Sequence, residues 1–350
     1  MRLFIYADPH WSSYSSILRS RGEKYSTRLE YLIKTMNWIE CEAVLQNCDT
    51  IVCLGDFFDK SELNSEEVTA LQEIGWSDIP HWFIVGNHEM GRSTSEHSSS
   101  HLFELLPNAC VVDELGVYTD GDTSVVSLPY ILENNRKPLK DYLKDCKLRD
   151  NIIILSHNDI SGMQLGKYVS TTGFSIEEIE NSCNLFINGH IHNEGEIGNK
   201  IINLGNITGQ NFSENAFLYG HNAVVLDTAE RSLNRLPNPY AINFYKVDLT
   251  SMQPTIDDKQ INQIIDSLKS PAVATIKTNS ACEFLVKDLL SSANNILECR
   301  LLVEHNSENT EQILENDAPT LDHLAKFTDY VFEHIGSDAL VVNELERISK

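Results

Sequence analysis

The chain has 350 residues, 41% of them hydrophobic and 22% charged, a globular composition long enough for one large domain and a smaller one. Its 51 acidic against 27 basic side chains leave a net charge of −24, which argues against broad nonspecific affinity for nucleic acid. That charge is compatible with divalent cations and with a partner that supplies positive surface. No apolar stretch approaches the ~18 residues needed to span a membrane, so no membrane association is expected.

Residues 3–6 (LFIY) are apolar and aromatic, read as a short buried strand that runs into Asp8 and His10. Tyr31, Leu32, Met36, Ile39 and Val44 then recur with helical spacing over residues 27–46. TIVCLGDFFD is a second strand, ending at Asp56, and residues 65–74 form a second helix. HWFIVGNHE is a third strand, ending at Asn87 and His88, followed by TSVVSLPY, NIIILSHND, NLFINGHIH and KIINLGN. Strands alternating with helices predict a layered α/β fold. The later strands follow closely and imply hairpins, and AVVLDTAERSLNRLPNP reads as strand, turn and strand closing this domain.

From about residue 247 the rhythm changes to helix (258–268), strand (272–277), helix (281–292) and strand (297–304). An acidic loop, HNSENTEQILENDAP, leads to a helix over 321–334 and another from about 338. The expected division is therefore 1–247 and 248–350, the second part a small α+β module. The eight cysteines are scattered without framework or C-x-x-C spacing, several inside apolar runs such as that of Cys53. With no secretory pattern at the N-terminus, a reduced cytoplasmic protein is the economical reading.

Five apolar runs end in ligand chemistry: D-x-H (Asp8, His10), G-D-x-x-D (Asp56, Asp59), G-N-H-E (Asn87, His88), S-H (His157) and G-H-x-H (His190, His192). Each alone is an ordinary turn or a satisfied histidine. Together, at the carboxyl ends of strands where α/β sheets bind ligands, they are not something bland folding requires. Oxygen and imidazole donors without thiolate suit Mn, Fe, Zn or Mg. His81, His97, His101, His221, His305, His323 and His334 have no such placement and are read as structural or solvated.

In order and spacing the five motifs resemble the calcineurin-like metallophosphoesterase family over residues 1–245. The resemblance implies a layered β-sandwich flanked by helices, with a small C-terminal α+β capping domain, and two divalent ions, most simply Mn2+. Asp8, His10 and His192 would hold one ion and Asn87, His157 and His190 the second, with Asp56 bridging both. His88 would stand beside the ions and act on developing charge or the leaving oxygen. Asp59 has two readings: a group holding an imidazole, water or substrate, or a turn or cap residue. Gly55, Gly86 and Gly189 precede ligand residues, where a side chain would crowd the turn.

Within the family the chain is most similar to the SbcD-type and double-strand-break-repair nucleases, including phage exonuclease subunits. GDFFDKSELNSEEV resembles that branch's second motif, and KIINLGNITGQNFSEN the segment returning a strand and polar loop to the site. The strand–helix–strand pattern from residue 270 resembles the capping domain that clamps DNA. This implies a Mn-dependent DNA exonuclease and endonuclease subunit working with a coiled-coil ATPase of SbcC type, with a homodimer as a further expectation. Arg19, Arg21, Lys24, Arg28 and Lys34 face only two acids over 19–34, a phosphate-backbone contact or a solvated helix start. Leu321, Phe327, Tyr330, Val331, Leu340, Leu345 and Ile348 offer apolar faces to a partner or to the cap itself. The reading from another substrate class is a phosphatase or cyclic nucleotide phosphodiesterase. A non-catalytic scaffold has no reason to carry the full donor set.

Overall fold

The computed structural model describes residues 1–14, 22–165, 168–212 and 214–304. Arg19, Arg21, the acidic loop and the expected C-terminal helices lie outside the described residues. The chain opens with β1 (Arg2–Tyr6), α1 (Thr27–Leu45), β2 (Thr50–Cys53), α2 (Ser65–Ala70), β3 (His81–Ile84) and β4 (Ala109–Val112), and these four strands pair in parallel. Next come the hairpin β5 (Gly116–Asp120) and β6 (Thr123–Leu128), then α3 (Leu139–Leu143) and β7 (Asn151–Ser156). Four two-residue strands follow: β8 (Ile160–Ser161), β9 (Gln164–Leu165), β10 (Tyr168–Val169) and β11 (Phe174–Ser175). Beyond them lie α4 (Ile176–Ser182), β12 (Leu185–Asn188), β13 (Gly195–Ile197) and β14 (Ile201–Asn203). The hairpin β15 (Asn222–Asp227) and β16 (Ser232–Pro237) then returns to the first sheet.

Two six-stranded sheets result, ordered β16-β15-β1-β2-β3-β4 and β13-β14-β12-β7-β6-β5. Inner strands such as β1, β2, β7 and β12 read as apolar runs because both faces are covered, as parallel sheets require. Along β1, Leu3 and Ile5 face the second sheet and pack with Val125, Ile153, Leu155 and Ile187. Phe4 and Tyr6 point the other way, onto Leu29, Leu32, Met36 and Ile39 of α1. On the far side, Ile154 and Phe186 pack under Leu139, Leu143 and Ile179 of the outer helices. The layers are helix, sheet, sheet, helix, the architecture expected from sequence. Helix α1 starts where Ser26 accepts from the Leu29 amide, and α2 starts with a capping box between Asn64 and Glu67.

A third sheet of three strands is built from β17 (Asn243–Leu249), β18 (Ala272–Asn279) and β19 (Ile296–Glu304), with α5 (Asp258–Asp266) and α6 (Glu283–Ser292) packed on it. Strand β17 pairs in parallel with β18 from Asn243 onward, so the division at 247/248 falls inside a strand. Phe244 and Val273 of this sheet pack with Tyr31 of α1 and Phe212. All eight cysteines are free thiols, and among the described residues no helix is long and apolar enough to cross a membrane.

An aromatic cluster braces the outer face of the first sheet. The Phe83 ring stacks on Phe103 with centroids 3.8 Å apart and meets Phe57 edge-on at 5.7 Å. Phe83→Ala should leave a void that neighbouring rings cannot fill, costing about 3–5 kcal/mol. The drop in urea midpoint, at unchanged m-value, measures it; a change below about 1 kcal/mol would show that the cluster does not brace the sheet.

Candidate metal centre

The five motif-bearing turns meet at one rim of the sandwich, because the strands carrying them lie side by side in the two sheets. Backbone hydrogen bonds lock the first two turns together: Asp8 N to Gly55 O (3.2 Å), His10 N to Asp56 O (3.0 Å) and Trp11 N to Phe57 O (2.6 Å). Asp8, His10, Asp56 and His190 all adopt positive φ, at 52°, 47°, 48° and 74°. Non-glycine residues pay for such a conformation, and it aims these side chains inward. A Cβ at Gly55, itself at φ +101°, would overlap the His157 ring, and one at Gly86 would overlap the Asp56 carboxylate.

Two backbone amides seat the carboxylates: His190 N donates to Asp8 Oδ2 (3.0 Å) and His88 N to Asp56 Oδ1 (2.9 Å). Around them the donor atoms gather in overlapping groups, Asp8 with His10 and His192, and Asp56 with His157 and His190. Asn87 joins the second, its Oδ1 lying 3.2 Å from His157 Nε2. A third group, His10, Asp56 and His88, links the two.

The direction of the lone pairs shows what this cluster suits. His157 Nδ1 donates to the Leu54 carbonyl at 2.6 Å, which turns its Nε2 lone pair toward Asp56 Oδ2 and Asn87 Oδ1, both at 3.2 Å. His10 Nδ1 donates to Asp59 Oδ1 (3.0 Å), leaving its Nε2 facing His192 Nε2 at 3.2 Å. His190 Nε2 donates to Asp159 Oδ1 (3.1 Å), and its buried Nδ1 has no partner. Acceptors converging on acceptors need a cation between them. Four imidazoles, two buried carboxylates and an amide fit two divalent ions of the Mn, Fe, Zn or Mg class.

Each imidazole is oriented from behind by an acceptor: Asp59 for His10, the Leu54 carbonyl for His157, Asp159 for His190, and Glu214 near His192 (3.7 Å). Such partners fix the tautomer and raise ligand basicity. Burial lowers the pKa of His10, with Asp59 offsetting only part of the effect. Burial also opposes a charged His157, but the adjoining Asp56 carboxylate outweighs it and lifts that pKa to about 9. Burial would raise Asp56 too, yet His157 and His10 hold it far below the usual carboxylate range.

His88 stands at the rim, partly exposed, its ring edge-on to His10 at 4.7 Å. Its Nδ1 donates to the Asp59 carbonyl (2.9 Å), so Nε2 is left for substrate. Asp59 thus orients His10 with its carboxylate and His88 with its backbone; of its two sequence readings, the structure places it on the imidazole.

The basic stretch fares differently. Arg28 is buried, and its guanidinium donates to the carbonyls of His10 (3.1 Å), Pro9 and Gly209 (both 3.4 Å), so it props the first turn from beneath instead of reaching a phosphate backbone. Lys24 is exposed and ion-paired with Glu73. Sequence reasoning missed Asp159, Glu214 and Glu89. Asp159 was signalled by its place two residues after His157 in SHND, and Glu214 by the polar loop between β14 and β15. Glu89, the last residue of GNHE, is buried and accepts from Gly86 N (2.8 Å) and Phe58 N (3.1 Å), tying two turns together. Burial, and then Asp56, pushes its pKa up to about 7.

The family model for calcineurin-like phosphoesterases matches residues 1–194, which carry every motif above. Similar solved structures include a dimetal phosphatase from Danio rerio, 12% identical, covering 64% of this chain and 91% of that one at a TM-score of 0.40. A purple acid phosphatase from yellow lupin seeds is 13% identical and covers 68% of this chain and 51% of its own at a TM-score of 0.44. The calcineurin-like phosphoesterase YfkN from Bacillus subtilis is 11% identical over 68% of this chain and 88% of its own, at 0.36. No curated protein matches. With more than half of its length matched by the family model and the family's donor types gathered at one rim, the chain belongs to the calcineurin-like phosphoesterases, metal-dependent hydrolases of phosphate esters that typically use two divalent ions.

Proposed function

We propose that this phosphoesterase is a Mn2+-dependent DNA nuclease subunit of the SbcD type, cutting phosphodiester bonds as exonuclease and endonuclease. The observation that carries this reading is a groove on the third sheet. Lys246, Lys277 and Arg300, from three neighbouring strands, line a cavity of about 440 Å3 together with Phe212 and Asp248. In a chain of net charge −24, three cations beside an aromatic ring suit a phosphate backbone with a base to stack. Phe212 belongs to the same loop as Gln210 and Glu214, which touch the Asp8 carbonyl (3.3 Å) and His192 (3.7 Å). One loop thus carries both an aromatic wall of the groove and residues that contact the centre.

In this reading Asp8, His10 and His192 would hold one ion, Asn87, His157 and His190 the other, and Asp56 would serve both. Ions held there would supply Lewis-acid polarisation of the phosphoryl oxygens and a lowered pKa for water. The chain does the rest. Asp59 fixes His88 so that Nε2 can pass a proton to the departing oxygen. The catalytic part (1–247), a capping part (248–350) and an SbcC-type ATPase adding positive surface complete the proposal, with Lys24 as a weak backbone contact. The acidic surface favours a second reading, a phosphatase or cyclic nucleotide phosphodiesterase.

End-labelled duplex and single-stranded DNA should be cleaved with Mn2+, alone or with the ATPase. Asp56→Ala should lose both bound metal and turnover, whereas His88→Ala should keep two ions and lose about 10²–10⁴ in kcat. Turnover of phosphomonoesters or cyclic nucleotides with no DNA cleavage would move the assignment to the second reading.

Metal uptake should also release protons. With its pKa near 9, His157 is protonated at neutral pH in the metal-free protein and must lose that proton to become a ligand. Affinity for Mn2+ should therefore weaken as pH falls from about 9, approaching tenfold per unit for one proton. Titration calorimetry in buffers of different ionisation heat counts the protons; a count of zero at pH 7 would show that His157 carries no proton for the metal to displace.

A further inference from the structure

A second cavity, of about 260 Å3, shares a wall with the metal centre. Tyr130 lines it, and the same ring lies 5.4 Å from the His190 ring and 6.3 Å from that of His157. Leu115, Ile131, Asn135 and Tyr142 also line the cavity. Its wall is anchored to the turns that carry the donor set. Tyr130 N donates to the Val85 carbonyl (2.9 Å), just before Asn87, and Ile131 N to Asn158 Oδ1 (3.0 Å), just after His157. Arg136, buried behind it, donates to the Ile131 carbonyl (2.8 Å) and lies 3.7 Å from Asp159. A site braced in this way is preorganised.

The lining decides the occupant. Among the described residues no lysine or arginine lines the cavity, so it is not a place for a second phosphate; the acids Asp113 and Glu114 would repel one. Two tyrosines and aliphatic side chains suit a flat, neutral ring, and carboxylates suit one that carries N–H donors. The volume lies just below the ~300–1,000 Å3 of drug-sized pockets, room for one nucleoside and not for a duplex. We propose that this cavity takes the unstacked base of the nucleotide whose phosphate lies at the metal centre, and favours bases with an exocyclic amine over thymine. The proposal rests on the phosphodiesterase reading above and deepens it. It makes the chain a reader of single, splayed nucleotides, in the manner of proteins that extract a base before acting.

The test compares three esters with one leaving group: methyl p-nitrophenyl phosphate and the p-nitrophenyl 5′-phosphodiesters of deoxyadenosine and thymidine, each with Mn2+. The expected result is a kcat/KM at least about tenfold higher for the deoxyadenosine ester than for the methyl ester, the range one base–aromatic contact supplies. Thymidine should fall between them. Leu115→Trp, which fills the cavity, and Tyr142→Ala, which removes a ring, should each shrink the nucleoside-to-methyl ratio toward one, chiefly through KM. The ratio is taken within each variant, so a general loss of fold or metal cancels. Equal kcat/KM for nucleoside and methyl esters in the wild type would overturn the base pocket and leave the phosphodiesterase standing. An advantage that survives both variants would overturn this placement of the base. No turnover of any ester by the metal-loaded protein would overturn the phosphodiesterase reading and the pocket with it.

Discussion

Burying Asp8 and Asp56 at one spot, out of water, is the constraint on which the rest of the centre depends. Two desolvated carboxylates repel each other, and each unpaired one costs several kcal/mol. Lysine or arginine could neutralise them in a structural ion pair. Imidazoles stand there instead, with their lone pairs turned inward. A proton between His157 and Asp56 satisfies part of that demand, which is why His157 holds its proton so firmly. A metal ion satisfies more of it, because it meets several lone pairs at once.

The backbone follows from the same constraint. Strand ends normally splay into solvent, yet here Asp8, His10, Asp56 and His190 turn inward through positive φ, at a cost of roughly 1–3 kcal/mol each. The surroundings over-determine these turns. The Asp8–Gly55 and His10–Asp56 backbone bonds join the first two, Glu89 ties the Gly86 turn to the second, and Arg28 fills the carbonyl pocket beneath. The sandwich interior, with Leu3, Ile5, Val52 and Ile187 in one apolar cluster, supplies the rigid base that such strain needs.

Charge around this centre is sorted by place. Asp59, Asp159 and Glu214 stand behind imidazoles, so some of the chain's acidity serves to aim ligands and does not spread over the surface. Beyond them the two neighbouring cavities differ in kind. One carries Lys246, Lys277 and Arg300, while the other carries Asp113 and Glu114 and no cation among the described residues. In the reading proposed above, a phosphate polymer with its bases turned aside would meet each surface with the matching part of itself.

The sandwich, its helices and the five strand-end motifs were legible in the sequence, because buried parallel strands must be apolar throughout and a ligand-bearing turn must interrupt them with polar residues. Periodicity also located α1 and the alternation of the third sheet. Arg28 was misread as a surface contact, because charge along a chain says nothing about which side of a helix faces the core. Asp159, Glu214 and Glu89 stayed hidden for a related reason: a carboxylate that orients a distant imidazole has no spacing of its own. The base-sized cavity beside Tyr130 is likewise assembled from loops far apart in the chain. Local sequence determined which groups this protein brings to the rim, since strand pattern and turn chemistry are properties of neighbours. Only the tertiary structure decided how those groups face one another, since the direction of a lone pair depends on partners that folding delivers from elsewhere.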